Sequence, residues 1–552
     1  MRRNLGEKSD GLTSAGFHPF SQPLTLSPMP DKRQFFKHTL VFGFGGIIGQ
    51  LVPFILLPLY TNYLTPSDYG ILRIIFEASV IINTVFLVGG IRLAAMTFYK
   101  QAENDEARRR IAITVSLLLW LAVAVAIAVS LCFILSIDTK YIEFFLKTDK
   151  TEILAFGLVV TLLEPLVTVP MALTQARLES LRFVITNITM SLARLGLIIY
   201  FVVCLNCGIW GIFYAQAIVF GLFTLYLTYR ELRIGSLYPD VTKWREILQF
   251  CLPLVPNGIF AFLYNISGWL AIVHIGPYSG EDAAYWAFGL YALAGQLIQV
   301  SAFLGVRPMQ QVWTAEMYDI HKTPEASTIF SNFALRILCV QAFAALFISL
   351  FSLEIIQIMC NSSYHSAAIL VPLFGLNSII VLFGSQMNNT FFITRNTNYN
   401  LFCTMYSLPF MFLFMGLLVP NGGITGASIA RCLANIVYVG IIYFFTRRFF
   451  YVRYPFGKMA MLLAITLLCY GLSVLCGGGV GEFTVLSKWE KFTKVWFHLH
   501  WFSVFAKMGI LCLWGVLAWC SGILSQEDKA LAIRVIRKGL HSLTNRWGAH
   551  RQ

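Results

Sequence analysis

Arg73, Glu77, Glu164, Arg194 and Arg431 are charged side chains that fall inside otherwise apolar runs of the chain. In hydrocarbon each costs about 2.5–3.5 kcal/mol on insertion scales, so each needs a partner or a water-filled cavity. Arg73 and Glu77 stand four residues apart, on one helical face, and can pair with each other. Glu164 and Arg194 fall near the middle of two consecutive apolar runs, at similar depth if those runs are antiparallel, and can pair as well. Two kinds of chemistry are open to this set. The residues can lock helices together as internal ion pairs. They can instead line a hydrated cavity in which arginines face an anion and a carboxylate holds a coupling cation such as Na+ or H+. Arginine suits phosphate because its planar fork engages two oxygens at once. Asn265 and His274, in the seventh apolar run, add polar candidates to the same cavity. Arg336 and Lys507 lie near run ends, where snorkelling to water accounts for them. Gln386, Asn388, Asn389 and Arg395 mark the inner end of the tenth run.

Other chemistries find little support. The nine histidines are dispersed, no paired-histidine metal spacing occurs, and there is no phosphate-cradling Gly-rich motif of an ATPase. No metal or cofactor is expected, and transport would draw on a gradient or on a reaction downstream. The close cysteine pair Cys204 and Cys207 has no second pair to complete a zinc site.

The elements that carry these residues follow from composition. Of 552 residues 57% are hydrophobic and 12% charged, at a mean hydropathy of +0.70. A water-soluble domain carries about 25% charged residues, so lipid must cover most of this surface. Apolar runs long enough to span the bilayer are expected at 36–60, 69–91, 111–136, 153–174, 183–204, 208–229, 247–275, 283–306, 329–352, 367–390, 400–419, 424–446, 459–478 and 501–524. Their length and continuity predict helices, about 14 in an all-α polytopic membrane protein. The net charge of +14 does not indicate nucleic acid. With the amino terminus inside, 30 of the 41 Lys and Arg fall in inner segments; only Lys140, Lys147, Lys150, Lys488, Lys491 and Lys494 fall in outer ones. The positive-inside rule thus predicts both ends cytoplasmic. The polar stretch 1–35 reads as a cytoplasmic tail and 526–552 as a basic one. Pro53 and Pro58 interrupt the first run, as Pro253 and Pro256 interrupt the seventh. Matching broken helices that each open a block of six suggest an internal repeat, 36–230 and 231–450, with 451–525 appended.

Several stretches are more specific than composition: Leu64-Thr-Pro-Ser-Asp-Tyr-Gly70, Val88-Gly-Gly-Ile-Arg92 with Phe98-Tyr-Lys100, Gln175-Ala-Arg-Leu-Glu179, Phe250-Cys-Leu-Pro-Leu-Val-Pro256 and Gly426-Ala-Ser-Ile-Ala430. In this order and spacing they resemble polysaccharide exporters of the Wzx type, relatives of multidrug-and-toxin extruders (MATE) and lipid II flippases. The resemblance covers roughly residues 36–450. It implies two pseudosymmetric six-helix lobes that open alternately to either side of a bacterial plasma membrane. The implied substrate is a polyprenyl-pyrophosphate-linked oligosaccharide, handled together with membrane lipids and a polymerase or glycosyltransferase machinery. One departure stands out. Many relatives carry an acidic residue after an Asn-Ile-Ser-like run, whereas Asn265-Ile-Ser-Gly268 here leads to Trp269. Ion coupling, if any, would then fall to Glu77 or Glu164. A cation-coupled antiporter of the same fold is the competing reading. It would want an acidic cavity, against the mild basic excess here. A membrane glycosyltransferase would need catalytic acids in an outer loop, and the longest, 479–500, offers Glu482 and Glu490 without an evident pair.

Overall fold

The computed structural model describes residues 55–523 apart from 87, 103, 137–150, 178, 235–238, 241, 253, 303–305, 395, 397 and 476–500. Most of the first expected span, and both predicted tails, therefore lie outside the described residues; the rest form helices. In chain order these are α1 (Pro66–Val85), α2 (Val88–Gln101), α3 (Asp105–Ser136), α4 (Thr151–Leu162), α5 (Pro165–Ala176), α6 (Ser180–Ile198) and α7 (Gly208–Ile234). There follow α8 (Thr242–Cys251), α9 (Leu254–Ile275), α10 (Glu281–Ser301), α11 (Arg307–Ile320), α12 (Ala326–Leu350), α13 (Ser352–Met359) and α14 (Val371–Ile393). The series closes with α15 (Asn398–Thr446), α16 (Phe456–Ser473) and α17 (Trp501–Cys520). Among the described residues nine helices are long and apolar enough to cross a membrane, ten if the bent pair α1–α2 counts as one span. The 49-residue α15 holds two expected crossings, folded about Gly423 at φ 51°.

Proline and glycine set the breaks. The second span bends by 52° between α1 and α2. The fourth is cut at Leu163–Glu164, because Pro165 opens α5 and cannot donate to the preceding turn. Glu164 stands at this interruption, still near the middle of the 26-residue span Thr151–Ala176 and with helical backbone angles. Asn206 (φ 52°) and Gly208 (φ 54°) make the tight turn into α7.

The specific sequence stretches prove to be joints of this architecture. Thr65 caps α1 by accepting from the Asp68 backbone N–H at 3.1 Å, with Pro66 in the first turn. Five residues on, Gly70 lets α1 lie against α10; a Cβ there would stand 2.6 Å from the Tyr285 carbonyl oxygen, and one on Gly289 would collide with the Pro66 carbonyl. Small residues permit this backbone approach where lipid removes most of the hydrophobic drive between helices. In the Gln175–Glu179 stretch, Arg177 grips Glu231 with both nitrogens, at 2.8 and 2.5 Å, while Arg230 donates to Glu179 and to Thr174. Two crossed pairs thus bolt the end of α5 to that of α7. Cys251 is buried behind Gly90, where a Cβ would be 2.8 Å away. Gly426 lets the second arm of α15 approach the Leu418 carbonyl of the first.

The helices before and after α8 meet along α1, which packs on α9 and α10. At the end where α1 begins, the contacts are polar and close. Asn62 Nδ2 donates to the Met359 carbonyl at 2.9 Å, the Tyr364 hydroxyl to the Leu64 carbonyl at 3.1 Å, and the Ser67 hydroxyl to Asp282 at 3.3 Å. Helices α16 and α17 rest on α12. There the structure departs from expectation for Lys507. It does not snorkel: its side chain is 3% exposed and paired with Glu354 of α13. A half-buried carboxylate 153 residues upstream, invisible to a local reading, supplies the partner that water was expected to be.

Candidate functional site

Between the two groups of helices lies a cavity of about 460 Å³ walled by α1, α9, α10, α14 and α15. It reaches from Arg73 and Glu77, in the middle of α1, to Ala261, Gln299, Thr404 and Tyr438, away from the contacts that seal the α1 start. A second pocket of about 320 Å³ adjoins it, between α1, α6 and the helical residues 56–60, and Arg73 and Gln296 line both.

Arg73 Nη2 donates to Glu77 Oε1 at 2.7 Å, and both side chains remain partly exposed, at 35% and 25%. The pair is thus internal and cavity-lining together, a combination the two sequence readings treated as alternatives. Arg431 sits across the chamber on the second arm of α15. Its Nη2 donates to Asn265 Oδ1 at 3.0 Å and its Nη1 reaches the Tyr291 hydroxyl at 3.4 Å. Asn265 is oriented for this role, since its amide donates to the Ala261 carbonyl of its own helix at 3.0 Å. Gly268, in place of a bulkier residue, leaves the Tyr291 ring its room: a Cβ there would stand 3.1 Å from the hydroxyl. Behind them the Tyr264 hydroxyl donates to Asn435 at 2.9 Å, and Asn435 to Asn377 at 2.7 Å. Neutral chains of this kind hold their members in place.

Arg194 occupies the second pocket with Tyr60, Asn187 and Ser191. Its guanidinium lies beside the Tyr60 hydroxyl, and its buried Nε has no hydrogen-bond partner. Two predicted candidates stand apart. Glu164 lines neither cavity; it is exposed at the α4–α5 break, with Arg194 and Arg92 within electrostatic reach but no direct ion pair among the described residues. His274, near the far end of α9, meets the Trp269 ring edge-on at 5.6 Å and lies outside both walls. Conversely, Gln296, Gln299, Tyr264, Tyr291, Asn377, Asn435 and Tyr438 line the main cavity although no sequence argument singled them out. Neutral polar residues carry little insertion penalty, so they leave no trace comparable to an intramembrane charge. A faint signal existed in Gln296 and Gln299, three apart on one face of a helix. Among the described residues no group of His, Cys, Asp and Glu could hold a metal ion.

The family described as "Polysaccharide biosynthesis protein" matches residues 35–313. The chain belongs to that family. Among curated proteins none matches it in sequence. In fold this family member is similar to the inward closed conformation of the lipid II flippase MurJ, at TM-score 0.63 and 13% identity, over 89% of this chain and 100% of that one. It is also similar to inward-facing and outward-facing structures of a multidrug resistance MATE family transporter, at TM-scores 0.55 and 0.54. Identities there are 14% and 15%, over 72% and 75% of this chain and 94% and 95% of those. It is thus a multi-pass membrane protein whose fold is similar to those structures.

Proposed function

We propose that the protein is a flippase that carries a polyprenyl-pyrophosphate-linked oligosaccharide across a bacterial plasma membrane, from the cytoplasmic to the outer leaflet, for cell-envelope polysaccharide synthesis. The observation that carries this reading is the charge of the cavities. Arg73, Arg194 and Arg431 line them, and the one carboxylate in either wall among the described residues, Glu77, is held by Arg73. An antiporter for organic cations would need free carboxylate there, and a headgroup bearing phosphates would not. A large polar headgroup can occupy the hydrated cavity while its lipid tail stays in the bilayer. With both chain ends cytoplasmic, the seal at Asn62, Leu64, Met359 and Tyr364 is the outer gate and the cavity faces inward. Alternating access is then the parting of those contacts and closure at the opposite end. Glu77 is the carboxylate through which Na+ or H+ could act, by competing for Arg73, and a polymerase would receive the product outside.

The test is reconstitution in liposomes with a fluorescent polyprenyl-pyrophosphate oligosaccharide, scored by its arrival in the opposite leaflet. Arg194→Ala removes charge-assisted hydrogen bonds worth about 1.5–3 kcal/mol each, so transport should fall by roughly 10- to 150-fold. Wild-type vesicles that leave the probe where it was, yet expel a small organic cation along a gradient, would establish the antiporter instead.

A further inference from the structure

The two pockets differ in kind. Among the described residues the Arg194 pocket is lined by no carboxylate; Arg73, which Glu77 pairs, reaches its edge, and Arg194 keeps a guanidinium nitrogen with no partner. In the larger chamber Arg73 is neutralised by Glu77, and Arg431 already donates to Asn265 and Tyr291. The chamber keeps neutral hydrogen-bonding capacity instead. The side-chain amides of Gln296 and Gln299 line it with no protein partner among the described residues, and Asn377 and Asn435 are held in a chain behind them. The rings of Tyr264, Tyr291 and Tyr438 complete the wall.

Resting on the flippase reading, we propose that this chamber is a sugar subsite, which takes the first neutral sugar units of the headgroup while the Arg194 pocket takes the phosphates. Each amide offers a carbonyl acceptor and two N–H donors, so a ring hydroxyl can give and accept at one side chain. Aromatic faces match the C–H faces of a pyranose, and a volume of about 460 Å³ lies in the range of small-molecule sites. Gln299 is exposed and Gln296 half-buried in the hydrated chamber, so both amides can exchange water for the hydroxyls of a sugar without first breaking a protein contact. A site built to hydrogen-bond hydroxyls discriminates strongly against ligands that lack them. The chamber therefore reads the glycan, and the arginine pocket is indifferent to it.

Two probes separate the subsites: polyprenyl pyrophosphate, and the pyrophosphate-linked glycolipid extracted from the protein's own cells. Binding of each to the full chain in nanodiscs gives a ratio. Wild type should favour the glycolipid at least tenfold. Gln299→Leu should cut that preference by about three- to tenfold, as for one lost hydrogen bond, and leave binding of the sugar-free lipid unchanged, which also certifies the fold. Arg194→Gln should weaken both lipids equally and preserve the ratio. A wild type that binds both lipids alike, or a Gln299→Leu ratio equal to the wild type's, overturns the sugar subsite and leaves the flippase reading standing. A wild type that binds neither lipid overturns the flippase reading itself.

Discussion

Lys507 and Arg194 are both cations within the membrane-spanning part of the chain, and the regions around them resolve that difficulty in opposite ways. At the seam between α17 and α13, Lys507 is 3% exposed and closed onto Glu354. In the pocket on α6, Arg194 keeps a buried nitrogen without a partner beside the Tyr60 hydroxyl. Arg431 stands between them, clamped by an amide and a phenol but by no acid. The comparison separates a cation closed by a carboxylate from one that lines a pocket beside a phenol.

The largest effect should come from breaking the architectural pair. Lys507→Ala leaves Glu354 half-buried and alone, a loss of about 3–5 kcal/mol, so folded protein in the membrane should fall sharply, as measured by detergent-extracted thermal unfolding. The double change Lys507→Met with Glu354→Gln should restore most of it. Equal loss in both variants would mean that the pair does more than pay for its own burial. Arg194→Ala should do the converse, removing most transport while extraction yield and unfolding temperature stay at wild-type values. A parallel loss of folded protein would place Arg194 with Lys507 on the structural side. Arg431→Gln should move both readouts, each by less. Tyr291→Phe should be the mildest, since the contact is long at 3.4 Å and interhelical hydrogen bonds in membranes average about 0.6 kcal/mol; transport reduced beyond threefold would show the phenol acting on the headgroup directly.

Much of the helical frame was legible, because apolar runs must become helices in lipid. The second through fourteenth expected runs each correspond to helix in the described residues. The Arg73–Glu77 pair was legible too, since both partners sit on one helix. What was illegible depended on distance in sequence or on neutrality. Lys507 finds Glu354 far upstream, and Gln299 carries no charge to betray it. The stretches that carry the family resemblance add a further reason. Thr65, Gly70, Arg177, Glu179, Cys251 and Gly426 are a cap, close approaches and bolts between helices, so they record how the fold is assembled; of these stretches Tyr69 alone, among the described residues, lines a cavity.

The contact between Gly70 on α1 and Gly289 on α10 has a kinetic side. Backbone lies on backbone there, with no side chains threaded between the helices that would have to change rotamer before they part. Separation is then a rolling apart, quick once the few hydrogen bonds at that end let go. In the flippase reading these surfaces part, so Gly289→Ala, whose Cβ would collide with the Pro66 carbonyl, should bias the resting population, each 1.4 kcal/mol of clash shifting it tenfold towards the parted state. Labelling of a single cysteine at position 67 would register that as faster modification in a protein whose unfolding is unchanged.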